Sequence, residues 1–130
     1  MKEKSNALEW YNKAENDFKA ACYLAKRKKD PLFDLVCYHC QQACEKYFKA
    51  SLVFKEKNPP WTHDLENLLD LCGEDDPSFE EIREIIMPLT PYVVEYRYPG
   101  EEAIEEEAKD ALERTKKIRI FIKKKLGVKD

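Results

Sequence analysis

Residues 31–57 read PLFDLVCYHCQQACEKYFKASLVFKEK, and this stretch predicts one long helix at the centre of the fold. Asp30 and Pro31 suit its N-cap and first turn, and Asn58 with the two prolines after it ends the helix near Lys57. Apolar side chains cover more of its circumference than one exposed amphipathic helix needs. Outside the main apolar arc they include Leu35, Tyr38, Leu52 and Val53. A helix that is apolar on both sides lies inside a bundle or against a second subunit.

The composition favours an all-α fold over a turn-rich β architecture. Charged residues make up 38% and hydrophobic residues 43% of the 130-residue chain, which has only 3 glycines. Helical-wheel spacing gives four or five helices and no convincing alternating strand. A chain of this length is typical of one domain, so we expect residues 1–130 to form a single helical domain.

Charge and hydropathy disfavour several classes of protein. The net charge of −3 argues against a surface built wholly for a nucleic-acid backbone, although local basic patches are compatible with it. No stretch approaches the roughly 20 apolar residues of a membrane span, and the N-terminus lacks the apolar core of a secretory signal. We therefore expect a cytoplasmic protein whose 5 cysteines are reduced.

The first helix is predicted to start near Ser5, as N-cap, and to run to the basic residues 26–29. That basic run then faces the negative end of the helix dipole, and we interpret it as a solvated last turn rather than a nucleic-acid patch. The buried face is expected to comprise Leu8, Tyr11, Ala14, Phe18, Ala21, Cys22 and Ala25.

Two shorter helices are predicted after the central one. Thr62 is a suitable N-cap for a helix that Gly73 ends. Ser78 and Glu81 have the spacing of a capping box for the next helix, which Pro88 must kink or end.

The last helix, at about residues 101–126, has the most regular apolar stripe, and Gly127 ends it. Acids are concentrated in its first turns and bases in residues 114–129, as the helix dipole prefers. The stripe consists of Ile104, Ala108, Ala111, Leu112, Thr115, Ile118, Ile122 and Leu126.

Three cysteines on the central helix raise the question of a metal site, because C-x-x-C can supply two thiolates to zinc. Cys37, Cys40 and Cys44 share one apolar arc, whereas His39 points about 100° or more away on the helical wheel. A second pair of ligands is also missing from the sequence. We therefore interpret the three cysteines as core residues and predict no metal site.

A polar stripe follows one side of the central helix. His39, Gln42, Lys46 and Lys49 recur at i, i+3, i+7 and i+10, with Glu45 at the border of the stripe. Two interpretations stay open: a solvated face, or a stripe that binds phosphate or a protein partner.

An arginine lies among tyrosines near the predicted fourth helix. Tyr92, Tyr96 and Tyr98 can stack around Arg97, which suits a nucleotide or a carboxylate of another protein. A structural role for Arg97, paired with a buried acid, is the equal alternative. His63 follows the predicted cap of the third helix and has either a capping or a functional role.

Three motifs together resemble the HEPN domain, the higher eukaryote and prokaryote nucleotide-binding domain. They are YHCQQACEKYFKASLV at residues 38–53, THDL at residues 62–65 and YRYP at residues 96–99. The opening helix from Trp10 with its acid-rich polar face is similar too, so the resemblance extends over nearly the whole chain.

The resemblance implies an up-and-down bundle of four to five helices, commonly dimeric, like the substrate-side helical domain of kanamycin-type nucleotidyltransferases. Small members of this family are often encoded beside a minimal nucleotidyltransferase, as a two-part enzyme or a toxin–antitoxin pair. We therefore expect a homodimer that partners such a subunit without being catalytic itself. It would need no cofactor beyond a nucleotide ligand such as ATP. Phosphate or carboxylate contacts are expected from Gln42, Lys46, Lys49, His63 and Arg97, with stacking on Tyr96 and Tyr98.

An RNase toxin is the alternative that the resemblance implies, because many HEPN proteins cleave RNA with an arginine and a histidine that follows it. Here no histidine follows Arg97, which disfavours that activity. An RNase of this sequence would have to recruit His39 or His63 from another helix. A third hypothesis is a helical bundle that functions only in the assembly of subunits. It would associate through the apolar side chains that lie outside the main arc of the central helix.

Overall fold

A computed structural model shows an all-α fold, as the composition predicts. The structure describes residues 2–95 and 99–129, and side chains from residue 6 onward. Its α-helices are α1 (Lys2–Ala25), α2 (Phe33–Phe54), α3 (Leu65–Gly73), α4 (Arg83–Ile86) and α5 (Glu105–Leu126). Two 3₁₀ stretches, Pro77–Ile82 and Met87–Val93, flank α4. No strand occurs among the described residues, and none of their helices is long and apolar enough to cross a membrane.

Helix α2 is the centre of the bundle, as its two apolar sides predict. It packs along α1 and α5 and also contacts α3 and the second 3₁₀ stretch. Contacts such as Glu15–Tyr47 and Asp17–His39 show that α1 runs antiparallel to α2. The segment from residue 77 to residue 93 returns antiparallel to α5, with Lys125 at one end and Arg114 farther along.

The ends of α1 differ from the prediction. The helix begins at Lys2, three residues before the expected N-cap Ser5, and ends at Ala25 before the basic run. Residues 26–29 therefore lie outside the helix, in a turn where Arg27 Nε donates hydrogen bonds to the carbonyls of Lys29 and Asp30. On the predicted buried face, Leu8 is 46% exposed and Ala25 is also exposed, because the buried side turns toward Ala7 instead.

The N-cap predicted for α2 is wrong. Asp30 has a φ of +49° and Pro31 precedes the helix, which begins at Phe33 with no side-chain cap. The helix ends at Phe54 rather than near Lys57, because Glu56 adopts a left-handed conformation with a φ of +62°. The amide of Lys57 then donates back to the carbonyl of Leu52, which is the hydrogen bond of a Schellman turn.

Two other predicted caps are displaced by neighbouring aspartates. Asp64, not Thr62, caps α3 and accepts from the amides of its first turn at 3.0 and 3.4 Å, whereas Gly73 is its last residue as predicted. Asp76 takes the place of the Ser78–Glu81 capping box and starts a 3₁₀ stretch instead of an α-helix. The next helix, α4, ends two residues before Pro88.

Helix α5 begins at Glu105, four residues later than predicted, and Gly127 ends it with a φ of +69°. Its apolar stripe is buried through Ala108, Ala111, Thr115, Ile118 and Ile122, but Ile104 is exposed at the N-cap. The apolar residues proposed for assembly are divided: Leu35 and Tyr38 are exposed, whereas Leu52 is 2% exposed and packs in the chain's own core. Leu52 therefore does not belong to an assembly surface.

Candidate functional site

The polar stripe of α2 is turned inward at its centre rather than toward solvent. Glu45 is 4% and Lys49 is 6% exposed, and Lys49 Nζ lies 3.0 Å from Glu45 Oε2. The other carboxylate oxygen of Glu45 lies 2.8 Å from Nδ1 of His63. Because Gln41 Nε2 also donates to the backbone carbonyl of His63 at 2.9 Å, the loop before α3 is fixed on α2. We call Gln41, Glu45, Lys49 and His63 the Glu45 cluster.

A second cluster joins the stripe to α1. Asp17 accepts a hydrogen bond from Lys46 Nζ at 2.6 Å and lies 2.9 Å from Nδ1 of His39. The Asp17 side chain is largely covered, so this ion pair is shielded from solvent on one side. Gln42 Nε2 meanwhile donates to Gln41 Oε1 at 2.7 Å, which ties the stripe to the Glu45 cluster.

The predicted ligand-binding residues that the structure describes fall into two groups. Gln42, Lys49 and His63 meet in or beside the Glu45 cluster, whereas Lys46 belongs to Asp17. Tyr96, Arg97 and Tyr98, which are also predicted to bind the ligand, lie outside the described residues. The polar side chains of the stripe are thus largely occupied by internal partners.

A third polar cluster connects three helices. Arg119 of α5 donates to both carboxylate oxygens of Glu15 at 2.7 and 3.0 Å, and the hydroxyl of Tyr47 donates to Glu15 at 2.6 Å. Burial alone would raise the pKa of Glu15, but the hydrogen bonds from Arg119 and Tyr47 outweigh it and hold that pKa below its usual value. Burial, together with the Glu15 carboxylate, raises the pKa of Tyr47. This cluster holds α1, α2 and α5 together.

A groove of about 790 Å³ opens between α1 and the second half of α2. One wall is the half-buried indole of Trp10, over which Lys49 Nζ lies 5.5 Å from the ring centroid. Side chains that line it are Asn6, Glu9, Trp10, Lys13, Lys46, Val53, Glu56, Lys57 and Asn58. Of the predicted site residues in the described part of the chain, Lys46 is the one on this wall. We call this space the Trp10 groove.

Charge in the Trp10 groove is partly neutralised. Lys46 pairs with Asp17, and Lys57 pairs with Asp75 at 2.8 Å. Neither of these aspartates lines the groove. Lys13, in contrast, makes no ion pair with a described residue. An indole face, two carboxamides and an unpaired ammonium form a set that can stack a base, bond its edge and contact a phosphate.

The two histidines differ in their availability. His39 is half-buried against Tyr38, whose ring centroid lies 5.5 Å away in an edge-on arrangement. The side chain of His63 is 64% exposed, and its Nδ1 is already oriented by the buried Glu45. An imidazole held in this way keeps Nε2 for a further hydrogen bond or proton transfer.

The cysteines of α2 lie in the core, as their common arc predicts. Cys37, Cys40 and Cys44 are buried, and Cys44 Sγ lies 3.8 Å from Thr115 Oγ1. Burial raises the pKa of each of these thiols to about 12. Over residues 2–95 and 99–129, no group of three histidine, cysteine or carboxylate side chains has the arrangement of a metal site.

Sequence reasoning missed Asp17, Gln41 and the Trp10 groove as parts of the site. The sequence does contain a signal for the Glu45–Lys49 pair, because an i,i+4 spacing of opposite charges predicts an ion pair on one helix face. No sequence signal locates Asp17, because it contacts Lys46 from 29 positions away along the chain.

Comparison with known proteins identifies one family. The family model described as HEPN domain matches residues 7–126, which is almost the whole chain and includes α1 to α5 apart from the first residues of α1. No curated protein sequence and no solved structure matches the chain significantly.

Proposed function

The chain belongs to the HEPN domain family, and from this premise we propose that it is a non-catalytic, nucleotide-binding partner of a minimal nucleotidyltransferase. In this pair the second subunit carries out the transfer chemistry. The helical chain supplies a binding surface for the nucleotide or the acceptor substrate, and it acts as a homodimer.

The Trp10 groove is the observation that carries this proposal. It is a concave site of the size that holds a nucleotide, and it combines an aromatic wall with carboxamide and ammonium side chains. Stacking of a base on an aromatic side chain contributes about 1–3 kcal/mol, so loss of the Trp10 indole should weaken binding by up to about a hundredfold. Lys13 is then the first phosphate contact, because it has no internal carboxylate to leave.

Among the residues that the structure describes, the groove lacks a complete acid–base set, which favours a non-catalytic role. Neither histidine lines it, and Glu9 and Glu56, the acids among its described lining residues, are exposed. Lys46 and Lys57 keep carboxylate partners that weaken their attraction for phosphate. The groove is therefore suited to binding and orientation rather than to proton transfer.

Calorimetry with ATP tests the nucleotide part, with the protein alone and mixed with a minimal nucleotidyltransferase encoded beside it. We expect heat of binding that Trp10→Ala removes. Trp61→Ala is the matched control, because Trp61 is fully exposed and outside the groove, and it should leave the heat unchanged. No heat in either mixture would refute nucleotide binding.

Size-exclusion chromatography with multi-angle light scattering tests the partnership. We expect a dimer alone and a heavier complex with the nucleotidyltransferase. Exposed Leu35 and Tyr38 are the apolar side chains of α2 available for such contacts, so Leu35→Asp should lower the mass of the assembly. A monomer at working concentration that never associates with the second subunit would refute the partnership while leaving nucleotide binding to be judged by calorimetry.

One observation favours a second candidate, an RNase that uses His63. The imidazole of His63 is exposed and is oriented at Nδ1 by a buried carboxylate, which is the arrangement that a histidine has as a general acid or base. A gel assay on RNA should then show cleavage that both His63→Ala and Arg97→Ala abolish. Equal residual cleavage by the native protein and both variants would indicate a contaminating nuclease and would refute the RNase hypothesis.

A further inference from the structure

The indole of Trp10 is contacted from within the bundle by a buried cation. Lys49 Nζ lies over the ring, 5.5 Å from its centroid, and the Lys49 side chain is almost fully covered. Trp10 lines the Trp10 groove, whereas Lys49 does not. The ammonium group therefore approaches the indole from the interior of the bundle, and the part of the ring that faces the groove is left to a ligand.

Glu45 fixes the position of this ammonium group. Its Oε2 lies 3.0 Å from Lys49 Nζ, and its Oε1 lies 2.8 Å from Nδ1 of His63. Both carboxylate oxygens are thus engaged, and Gln41 holds the backbone of His63 on the same helix. Lys49 loses its rotamer freedom when the chain folds and not when a ligand binds, so the indole is already held in place for the ligand.

Among the described residues that line the groove, Trp10 provides the aromatic surface, and the others are polar apart from Val53. A base that enters the groove therefore stacks on this indole. We propose that Glu45 and Lys49 position the Trp10 indole, and that the groove thereby selects purine over pyrimidine nucleotides. This inference rests on the nucleotide binding proposed above and adds to it the class of base.

Stacking area and charge both favour a purine on this indole. A two-ring base overlaps a two-ring indole over a larger area than a one-ring base does, and stacking strength sets the base preference of aromatic binding sites. A cation over one face of an aromatic ring attracts the π electrons, which lowers the repulsion between that ring and a stacked base. A purine gains more from this effect, because more of its π surface lies against the indole.

Titrations with ATP, GTP and CTP test the inference, with the fluorescence of Trp10 as the signal in a Trp61→Phe background. The three ligands carry the same triphosphate, so a difference in affinity reports the base. We expect ATP and GTP to bind about tenfold more tightly than CTP. Lys49→Met should weaken ATP binding about fivefold and CTP binding much less, which reduces the preference for ATP to about twofold.

Three further variants separate positioning from general damage to the fold. Lys49→Arg keeps a cation that also stacks on aromatic rings, so it should retain the preference for purines. Glu45→Met/Lys49→Met leaves neither charge of the pair alone in the interior, and it should lose the preference as Lys49→Met does. Lys109→Met is the matched control, because Lys109 makes an exposed i,i+4 pair with Glu105 outside the groove, and it should leave all three affinities unchanged.

Acrylamide quenching of Trp10 without a ligand measures how firmly the indole is held. Quenching should increase in Lys49→Met and stay the same in Lys109→Met, and unchanged quenching in Lys49→Met would overturn the positioning role. Equal affinities for ATP and CTP in the native chain, or an equal loss of both in Lys49→Met, would overturn the purine preference and leave nucleotide binding in place. An absence of binding by all three nucleotides would instead refute the proposed function together with this inference.

Discussion

Removal of the Glu45 carboxylate should destabilise the fold far more than removal of an exposed acid. Both Glu45 and Lys49 are almost fully covered, so Glu45→Ala leaves an ammonium group in the protein interior without its partner. Breaking a buried pair from one side costs about 3–5 kcal/mol. Lys49 lies over Trp10 at the edge of a groove, and its long side chain can move its charge toward water there. We therefore expect about 3 kcal/mol, the lower end of the range.

Urea unfolding followed by far-UV circular dichroism measures this loss. With an m-value of about 1.5 kcal/mol per molar, a change of about 3 kcal/mol lowers the midpoint by about 2 M. The double variant Glu45→Met/Lys49→Met removes both charges and should lose only about 1 kcal/mol or less. Glu113→Ala is the surface control, because its pair with Lys116 is exposed, and it should cost at most about 0.5 kcal/mol. A single variant as stable as the native chain, or a double variant as unstable as the single one, would refute the reasoning.

Three further predictions concern the core, pH and thiol chemistry. Ile118→Ala should lower the free energy of unfolding by about 2–5 kcal/mol and the exposed Ile120→Ala by less than about 0.5 kcal/mol, measured by urea unfolding. Hydrogen bonds hold the pKa of Asp76 at about 2, and the hydrogen bond from Lys125 lowers this pKa the most. An aspartate in the unfolded chain titrates near about 3.9, so this stabilisation is complete above about pH 5 and is lost as the pH falls through about 2. In the Asp76→Asn variant, the free energy of unfolding should therefore change less between about pH 5 and about pH 2 than it does in the native chain. Urea unfolding at each pH measures this difference. In native protein a thiol reagent should label the half-buried Cys22 well before the buried thiols, and equal labelling rates by mass spectrometry would contradict the core assignment.

The helices that the sequence predicts best are those whose burial is decided by periodicity. The stripe of α5 repeats over six turns, and Gly127 is the residue type that most readily takes the left-handed conformation required there. The two apolar sides of α2 similarly predict its central position. In both helices the burial of many side chains outweighs any single local choice.

Helix starts were predicted less well, because several polar residues compete within two positions and tertiary contacts decide among them. Asp34, in the first turn of α2, accepts a hydrogen bond from the amide of Ala103 at 2.6 Å. Asp76 is drawn toward Lys125 of α5 as well as toward the amide of Ser78. Contacts of this kind join distant parts of the chain, so local cap preferences do not contain them.

The candidate site could be predicted only as a face of one helix. The spacing of the stripe on α2 is a property of the sequence, but its occupation by Asp17 and His63 is a property of packing. The Trp10 groove arises in the same way, because α1 and α2 must be brought together before their side chains enclose a space. Nucleotide binding is therefore proposed for the groove beside the stripe and not for the stripe itself.

Indole fluorescence of a Trp61→Phe variant tests the central claim most directly, because it leaves Trp10 as the one tryptophan of a chain that has two. Titration with ATP should produce a saturable change in that signal, and Lys13→Ala in the same background should weaken the apparent affinity. A signal that does not saturate, or that is unaffected by the lysine variant, would contradict nucleotide binding at this groove.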